Sequence, residues 1–282
     1  MITLHTTKLN DQGVSEAIGF MLIFAIVIAG IGLVTLYGYP LLLQQQVGAD
    51  EKIMEKNMIV LQNDIKSLAY KTVPFKETSL KIGGGSLTVY NSSYSPSSST
   101  LTIYSVLANP YVDSFQPGEL RFESVSAQTD ISLQNGAVVM RPRINPGSVM
   151  LSEPRWFYDA NTITNTNTMV INLINITSNN ILAKEGIGTV QMTLGETNYT
   201  YVNIPVNDDV IIVYTPDPLL LGRDYSVAWD NYIKKTFTNQ PGLTLTTGGT
   251  TPGTGSPLTY TLTSSNPMTL VIKKYEVQIK NI

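Results

Sequence analysis

The residues able to do chemistry are few and scattered. His5 is the only histidine and there is no cysteine. Disulfides, thiolate zinc sites and cysteine nucleophiles are therefore excluded. A folded body beyond the N-terminus has no histidine for a Ser–His–Asp triad or an imidazole metal site. Carboxylates remain: Asp113, Glu119, Glu123, Asp159, the pair Asp208-Asp209, and Asp217. Paired carboxylates can hydrolyse glycosides without histidine, but these fall in no recognisable motif. Asp208-Asp209 follows Asn207 and precedes a strand-like run, as in a solvated turn, and lacks the spacing of an EF-hand loop. Gly83-Gly84-Gly85 could approach a phosphate, yet no Lys-Ser/Thr follows it as in a P-loop. Arg141-Pro142-Arg143 and Arg155-Trp156-Phe157-Tyr158 join cations to aromatics. That composition suits ligand stacking and equally suits strand packing with a flanking cation. The expectation is a protein that is not an enzyme, with no catalytic residue, cofactor or metal.

Three Asn-x-Ser/Thr acceptors occur, at Asn91, Asn175 and Asn198. Outside a cell they would be glycosylation sites. Asn91 sits in a polar stretch and is the preferred one; Asn175 sits in an apolar run.

Composition narrows the class. The chain has 282 residues, a net charge of -3 and only 14% charged residues, against roughly 25% in ordinary soluble domains. Nothing in that balance is a footprint for nucleic acid.

The positioning elements begin with a helix. Residues 17–43, AIGFMLIFAIVIAGIGLVTLYGYPLLL, hold 27 positions without a charge. As a helix they span roughly 40 Å, more than the ~30 Å hydrocarbon core of a bilayer. Gly30, Gly32 and Gly38 are tolerated in such a helix, as is a kink at Pro40. Next, Val47, Met54, Met58, Leu61, Ile65 and Leu68 recur at spacings of 7, 4, 3, 4 and 3, an apolar stripe at helical period. Glu51, Lys52, Glu55, Lys56, Gln62, Asn63, Asp64 and Lys66 surround it. Residues 44–72 thus form an amphipathic second half, which either makes a coiled-coil stalk or lies on a β-domain. Val73-Pro74 ends it, because a residue before proline avoids the α region.

The rest reads as β. Residues 79–82 and 87–90 flank the three glycines as a hairpin. Further strands are expected over residues 100–104, 119–125, 137–141, 155–158, 169–177, 189–194, 200–204, 210–214, 257–262 and 268–280, with a helix over 225–237. Residues 91–100, 161–168 and 244–257 are low in complexity and read as exposed loops. The fold class is α+β: a long N-terminal hydrophobic and amphipathic helix followed by a mainly antiparallel, sandwich-like β body.

The stretch Asp11-Gln12-Gly13-Val14-Ser15-Glu16-Ala17-Ile18-Gly19-Phe20, followed by the apolar run, resembles the class III signal of archaeal type IV pilins. The continuation MEKNMIVLQNDIKSLAYKTVPFKETSLKIGGGSL is similar to a functionally uncharacterised family of archaeal pilin-like envelope proteins. The resemblance implies a leader of residues 1–13, cut between Gly13 and Val14 by a prepilin peptidase-type enzyme. It implies a long helix over 14–73 and an extracellular β-rich domain over 74–282. Glu16 becomes third in the mature chain, where bacterial relatives carry an acidic residue fifth that pairs with a neighbour's new amino terminus. The implied function is a structural subunit of a pilus-like surface filament. Its helix is first inserted in the cytoplasmic membrane, N-terminus inside, and then packs with other copies in the filament core. A single-pass surface protein that never polymerises is the alternative, and an anchored ectoenzyme or carbohydrate binder a third reading.

Overall fold

The computed structural model describes residues 11–71, 73–91, 99–105, 111–145, 147–206, 208–217 and 223–282, so His5, Asn207 and most of the expected leader lie outside it. A helix α1 (Asp11–Leu33) passes through a π-helical turn (Val34–Gly38) into α2 (Tyr39–Lys71). The strands β1 (Phe75–Tyr90), β2 (Thr100–Ser105), β3 (Val112–Phe115), β4 (Glu119–Ser124), β5 (Thr129–Gln134), β6 (Ala137–Pro142) and β7 (Val149–Ser152) follow. Then come β8 (Phe157–Asn161), β9 (Thr166–Ser178), β10 (Leu182–Ile204), β11 (Asp209–Thr215), helix α3 (Ser226–Phe237), β12 (Leu243–Thr247), β13 (Leu258–Ser264) and β14 (Met268–Asn281). The chain divides into two compact units between Ala49 and Asp50.

The first unit is helical, and its apolar side chains are turned outward: Phe20, Met21, Leu22, Ile23 and Leu36 are all exposed. The π-helical turn has a local cause. Pro40 has no N–H to give the Leu36 carbonyl and its ring crowds that oxygen. The backbone widens just before it, and the Tyr39 N–H reaches back five residues to the Val34 oxygen.

In the second unit the described strands form a nine-stranded sheet, ordered β7-β6-β5-β4-β1-β10-β14-β9-β8, and a five-stranded sheet, β12-β13-β11-β2-β3. The pairings are antiparallel except for β14 with β9, which run parallel. Each face of the large sheet has its own core. On one face Met54, Met58, Leu61, Ile65 and Leu68 of α2 are fully buried against Leu80, Phe122, Ile131, Ile174 and Val277. The amphipathic half-helix therefore lies on the β body. On the other face Met169, Ile171, Leu173, Leu270 and Ile272 share a core with the small sheet and with Trp229, Tyr232, Ile233 and Phe237 of α3. The middle of β9, residues 169–174, and of β14, residues 270–272, is buried on both faces, which is why MVINLI and LVI read as mainly apolar runs.

Three expectations are corrected. The glycines make no hairpin: β1 runs straight through them, with a register shift against β10 between Ile82 and Leu87. They serve close approach instead. A Cβ on Gly85 would lie 2.2 Å from the Glu123 carbonyl oxygen, and one on Gly83 2.6 Å from Asp50 Oδ1. Residues 189–194 and 200–204 are one strand, β10, bulged opposite β14 between Leu194 and Thr197. A bulge absorbs the extra residues without ending the ladder. The third concerns the expected loops: the start of 244–257 pairs with β13 as β12, and in 161–168 Asn161 closes β8 and Thr166 opens β9, with Asn167 buried. The short strands β3 (VDSF) and β7 (VMLS) carry no alternation to read, whereas β5 (TDISLQ) and β12 (LTLTT) alternate over only a few residues beside polar, turn-like neighbours.

Candidate functional site

The carboxylates singled out by sequence are held apart or neutralised by arginines. Arg121, only 1% exposed, lies between Glu119 and Glu123, its second pairing at 3.3 Å. Ser132 donates to Glu119 Oε2 at 2.5 Å. The Arg121 guanidinium also stands 4.4 Å from the centre of the Tyr90 ring, and Arg223 stands 5.0 Å from the same ring. Burial raises the Tyr90 pKa above its ordinary value, with Arg121 opposing. This neutralised, close-packed cluster holds strands together and offers no open carboxylate pair. Asp217 approaches Arg223 at 4.0 Å. Asp208 is buried, with its N–H donating to the Pro205 carbonyl at 3.2 Å, so the solvated-turn expectation does not hold for it. Asp113 accepts from Ser114 at 3.1 Å, and Asp159 is exposed on β8. Among the described residues no group of three acidic or histidine side chains is placed to hold a metal ion.

The cation-aromatic segments divide. Arg141 is buried, while Arg143 bonds Asp130 through Nη2 at 2.7 Å. Trp156 belongs to the core, its ring 5.7 Å from Trp229 and its indole N–H donating to the Asn172 carbonyl at 2.8 Å. Arg155 instead faces outward and lies over the Tyr70 ring at 5.2 Å.

The three glycosylation acceptors are placed unequally, and Asn91 loses its rank. It is 8% exposed and its Nδ2 donates to the Ser178 carbonyl at 2.5 Å, while Ser92 and Ser93 lie outside the described residues. Asn175 is half-buried on β9. Asn198 is exposed on β10. A glycan needs a solvent-reachable amide, and burial depends on which strand edge covers Asn91, a tertiary fact that loop-like composition does not carry.

At the N-terminus the backbone of Gly13 and Val14 is helical within α1, and the Val14 side chain lies outside the described residues. Glu16 is exposed at the start of the apolar stretch. The helix from Glu16 to Lys71 is long and apolar enough to cross a membrane, and none of its most apolar window is buried. Sequence reasoning missed Gln62. It stands in the buried stripe of α2, donating through Nε2 to the carbonyls of Gly136 at 2.7 Å and Glu153 at 3.1 Å and accepting from Ser152 at 2.5 Å. Its position four residues after Met58 was the available signal.

These features define a protein with a long, apolar N-terminal helix followed by a mostly antiparallel β body in two sheets. The chain belongs to the family of unknown function DUF7289, whose model matches residues 12–261, helix and body together. No curated protein matches it, and no solved structure does.

Proposed function

We propose that this protein is a structural subunit of an archaeal type IV pilus-like surface filament, with its helix in the filament core and its β body outside. One observation carries the reading: a single helix whose first half turns apolar side chains outward in every direction while its second half spends its only apolar stripe on the body. An apolar cylinder of that kind is complementary to lipid and to other copies of itself. Around Gly30 and Gly32 no atom stands within 4 Å of where a Cβ would be, leaving room for a neighbouring helix backbone. In this reading the protein is first held in the cytoplasmic membrane. A peptidase of the prepilin type cuts between Gly13 and Val14, and Glu16 at the edge of the apolar stretch meets a neighbouring subunit's new amino terminus. The protein is not an enzyme, and Asn198 is the acceptor best placed for a glycan. The second reading, a single-pass surface protein that stays in the bilayer, is favoured by the same outward apolar surface, which lipid alone satisfies. N-terminal mass spectrometry of surface-assembled protein separates them. A chain beginning at Val14 is expected. Assembled material that begins at Met1 or Ile2 sinks the processing step, and protein recovered only as single copies in detergent favours the anchor.

A further inference from the structure

Helix α2 covers only part of the sheet face on which it lies. Among the described residues the core that α2 builds on this face reaches Leu194, Tyr275 and Ile174, and the same face of β10, β14, β9 and β8 continues past them. The ladder registers order what stands there. Tyr201 is opposite Val271, Val271 opposite Val170, and Val170 opposite Phe157. In the next row Tyr199 is opposite Lys273 and Lys273 opposite Asn172, whose Nδ2 donates to the Arg155 carbonyl. Large rings remain in the open: Tyr201 is 69% exposed, Tyr199 53% and Phe157 43%.

Two cavities open on this face and share Tyr70, Arg155 and Phe157. One is about 740 Å³, against the C-terminal turns of α2, and the other about 310 Å³, over Tyr275 and Lys273. Both fall within the roughly 300–1,000 Å³ range of small-molecule sites. Their charge is one-sided. Lys66, Lys71, Arg155 and Lys273 line them, and among the described lining residues there is no carboxylate. Glu153, whose charge opposes the lowering of the Lys66 pKa, is itself paired with Lys235 at 2.6 Å. Lys66 and Arg155 are like charges held close: burial first, and then Arg155, lower the Lys66 pKa. The cations are also fixed in place by rings, Arg155 over Tyr70 at 5.2 Å and Lys273 over Tyr199 at 5.8 Å. Arg155 and Lys273, preorganised in this way with no carboxylate among the described lining residues, fit an anion. The flat exposed rings beside them fit the apolar face of a sugar, and Asn63 and Ser67 on the cavity wall can bond its hydroxyls.

We propose that this uncovered end of the large sheet binds a short acidic saccharide, its carboxylate held by Arg155 and Lys273 and a sugar face resting on Phe157. The inference rests on the reading of the β body as exposed outside the cell, where such polymers are met. A long polyanion is disfavoured by the net charge of -3.

The test is calorimetric titration of the full-length protein in detergent micelles with trigalacturonate, maltotriose and a four-residue oligothymidylate. Trigalacturonate is expected to bind at least about tenfold more tightly than maltotriose, since a charge-assisted bond is worth that much. Lys273→Gln and Phe157→Ala should each weaken it by about tenfold. Circular dichroism melting serves as the folding control; if Phe157→Ala unfolds, the half-buried Lys273→Gln decides alone. No binding of trigalacturonate overturns the proposal, as does equal binding of maltotriose or indifference to Lys273→Gln. Tighter binding of the oligothymidylate makes the face a nucleic-acid platform. Loss of self-association in the variants without saccharide binding makes it a contact between copies. Binding by a chain that keeps Met1 would leave this inference standing while the filament reading fell.

Discussion

Gln62 is a polar side chain with no exposure, and its three hydrogen bonds tie α2 to the β5–β6 turn and to β7. Replacing it with leucine keeps the bulk and strands the Gly136 carbonyl and the Ser152 hydroxyl, while the Glu153 carbonyl keeps its bond from Lys66 Nζ at 3.2 Å. Each buried polar group left unpaired costs about 1–3 kcal/mol, so Gln62→Leu should lower the stability of the body by at least that much. Urea denaturation followed by tryptophan fluorescence measures it, and an unchanged midpoint would count against the role. Tyr275 gives a pH prediction. Burial first, then Tyr199, pushes its pKa up to about 12, against about 10 in an unfolded chain. The folded state therefore favours the neutral phenol. Its contribution is fully present below about pH 10 and is lost as pH rises through about 12. Tyr275→Phe should reduce the alkaline sensitivity of the melting temperature over that window. An identical slope in both proteins would refute this.

At the scale of elements, β1 shows how a motif is read by its surroundings. Three consecutive glycines between alternating runs are a turn signal by propensity. They become a bulged strand because Asp50 and the Glu123 backbone must come closer than any Cβ allows. Gly85→Ala should cost about 1–3 kcal/mol through overpacking against a backbone oxygen that cannot turn aside. Thermal unfolding checks this, and a neutral result would mean that β4 shifts freely. The π-helical turn is likewise an element with a single cause. Pro40→Ala restores the missing N–H, so the five-residue reach from Tyr39 to Val34 should revert to ordinary α-helical bonding. Carbon chemical shifts over residues 34–38 in micelles would report it, and persistence of the π pattern would assign the turn to neighbouring side chains instead.

For the whole molecule, the division between Ala49 and Asp50 separates a helix whose apolar side chains are exposed from a body that buries two cores of its own. The filament reading makes a prediction at this scale. Gly13→Trp should block removal of the leader and abolish assembly while leaving the melting temperature of the body unchanged. Filaments formed in normal yield from that variant would refute the maturation step.

How much of this was legible in the sequence follows from the range of the forces involved. The uncharged run over residues 17–43, the stripe from Met54 to Leu68, helix α3 and the long strands β9 and β14 are local patterns, and periodicity alone determined them. The absence of cysteine and the lone His5 also settled which chemistries are closed to the body. Contacts distant in the chain decided the rest. Only the packed sheet shows that Asn91 is buried against Ser178, 87 positions away, or that Gln62 bonds Gly136, 74 positions away. The same holds for Arg155, Tyr70, Tyr199 and Lys273, which come together only when four strands and the end of α2 share a face. Side-chain periodicity records which face a residue occupies. Which other segment covers that face is set by strand order, and strand order is fixed by the burial of two cores at once, a sum over the whole chain that no local window contains.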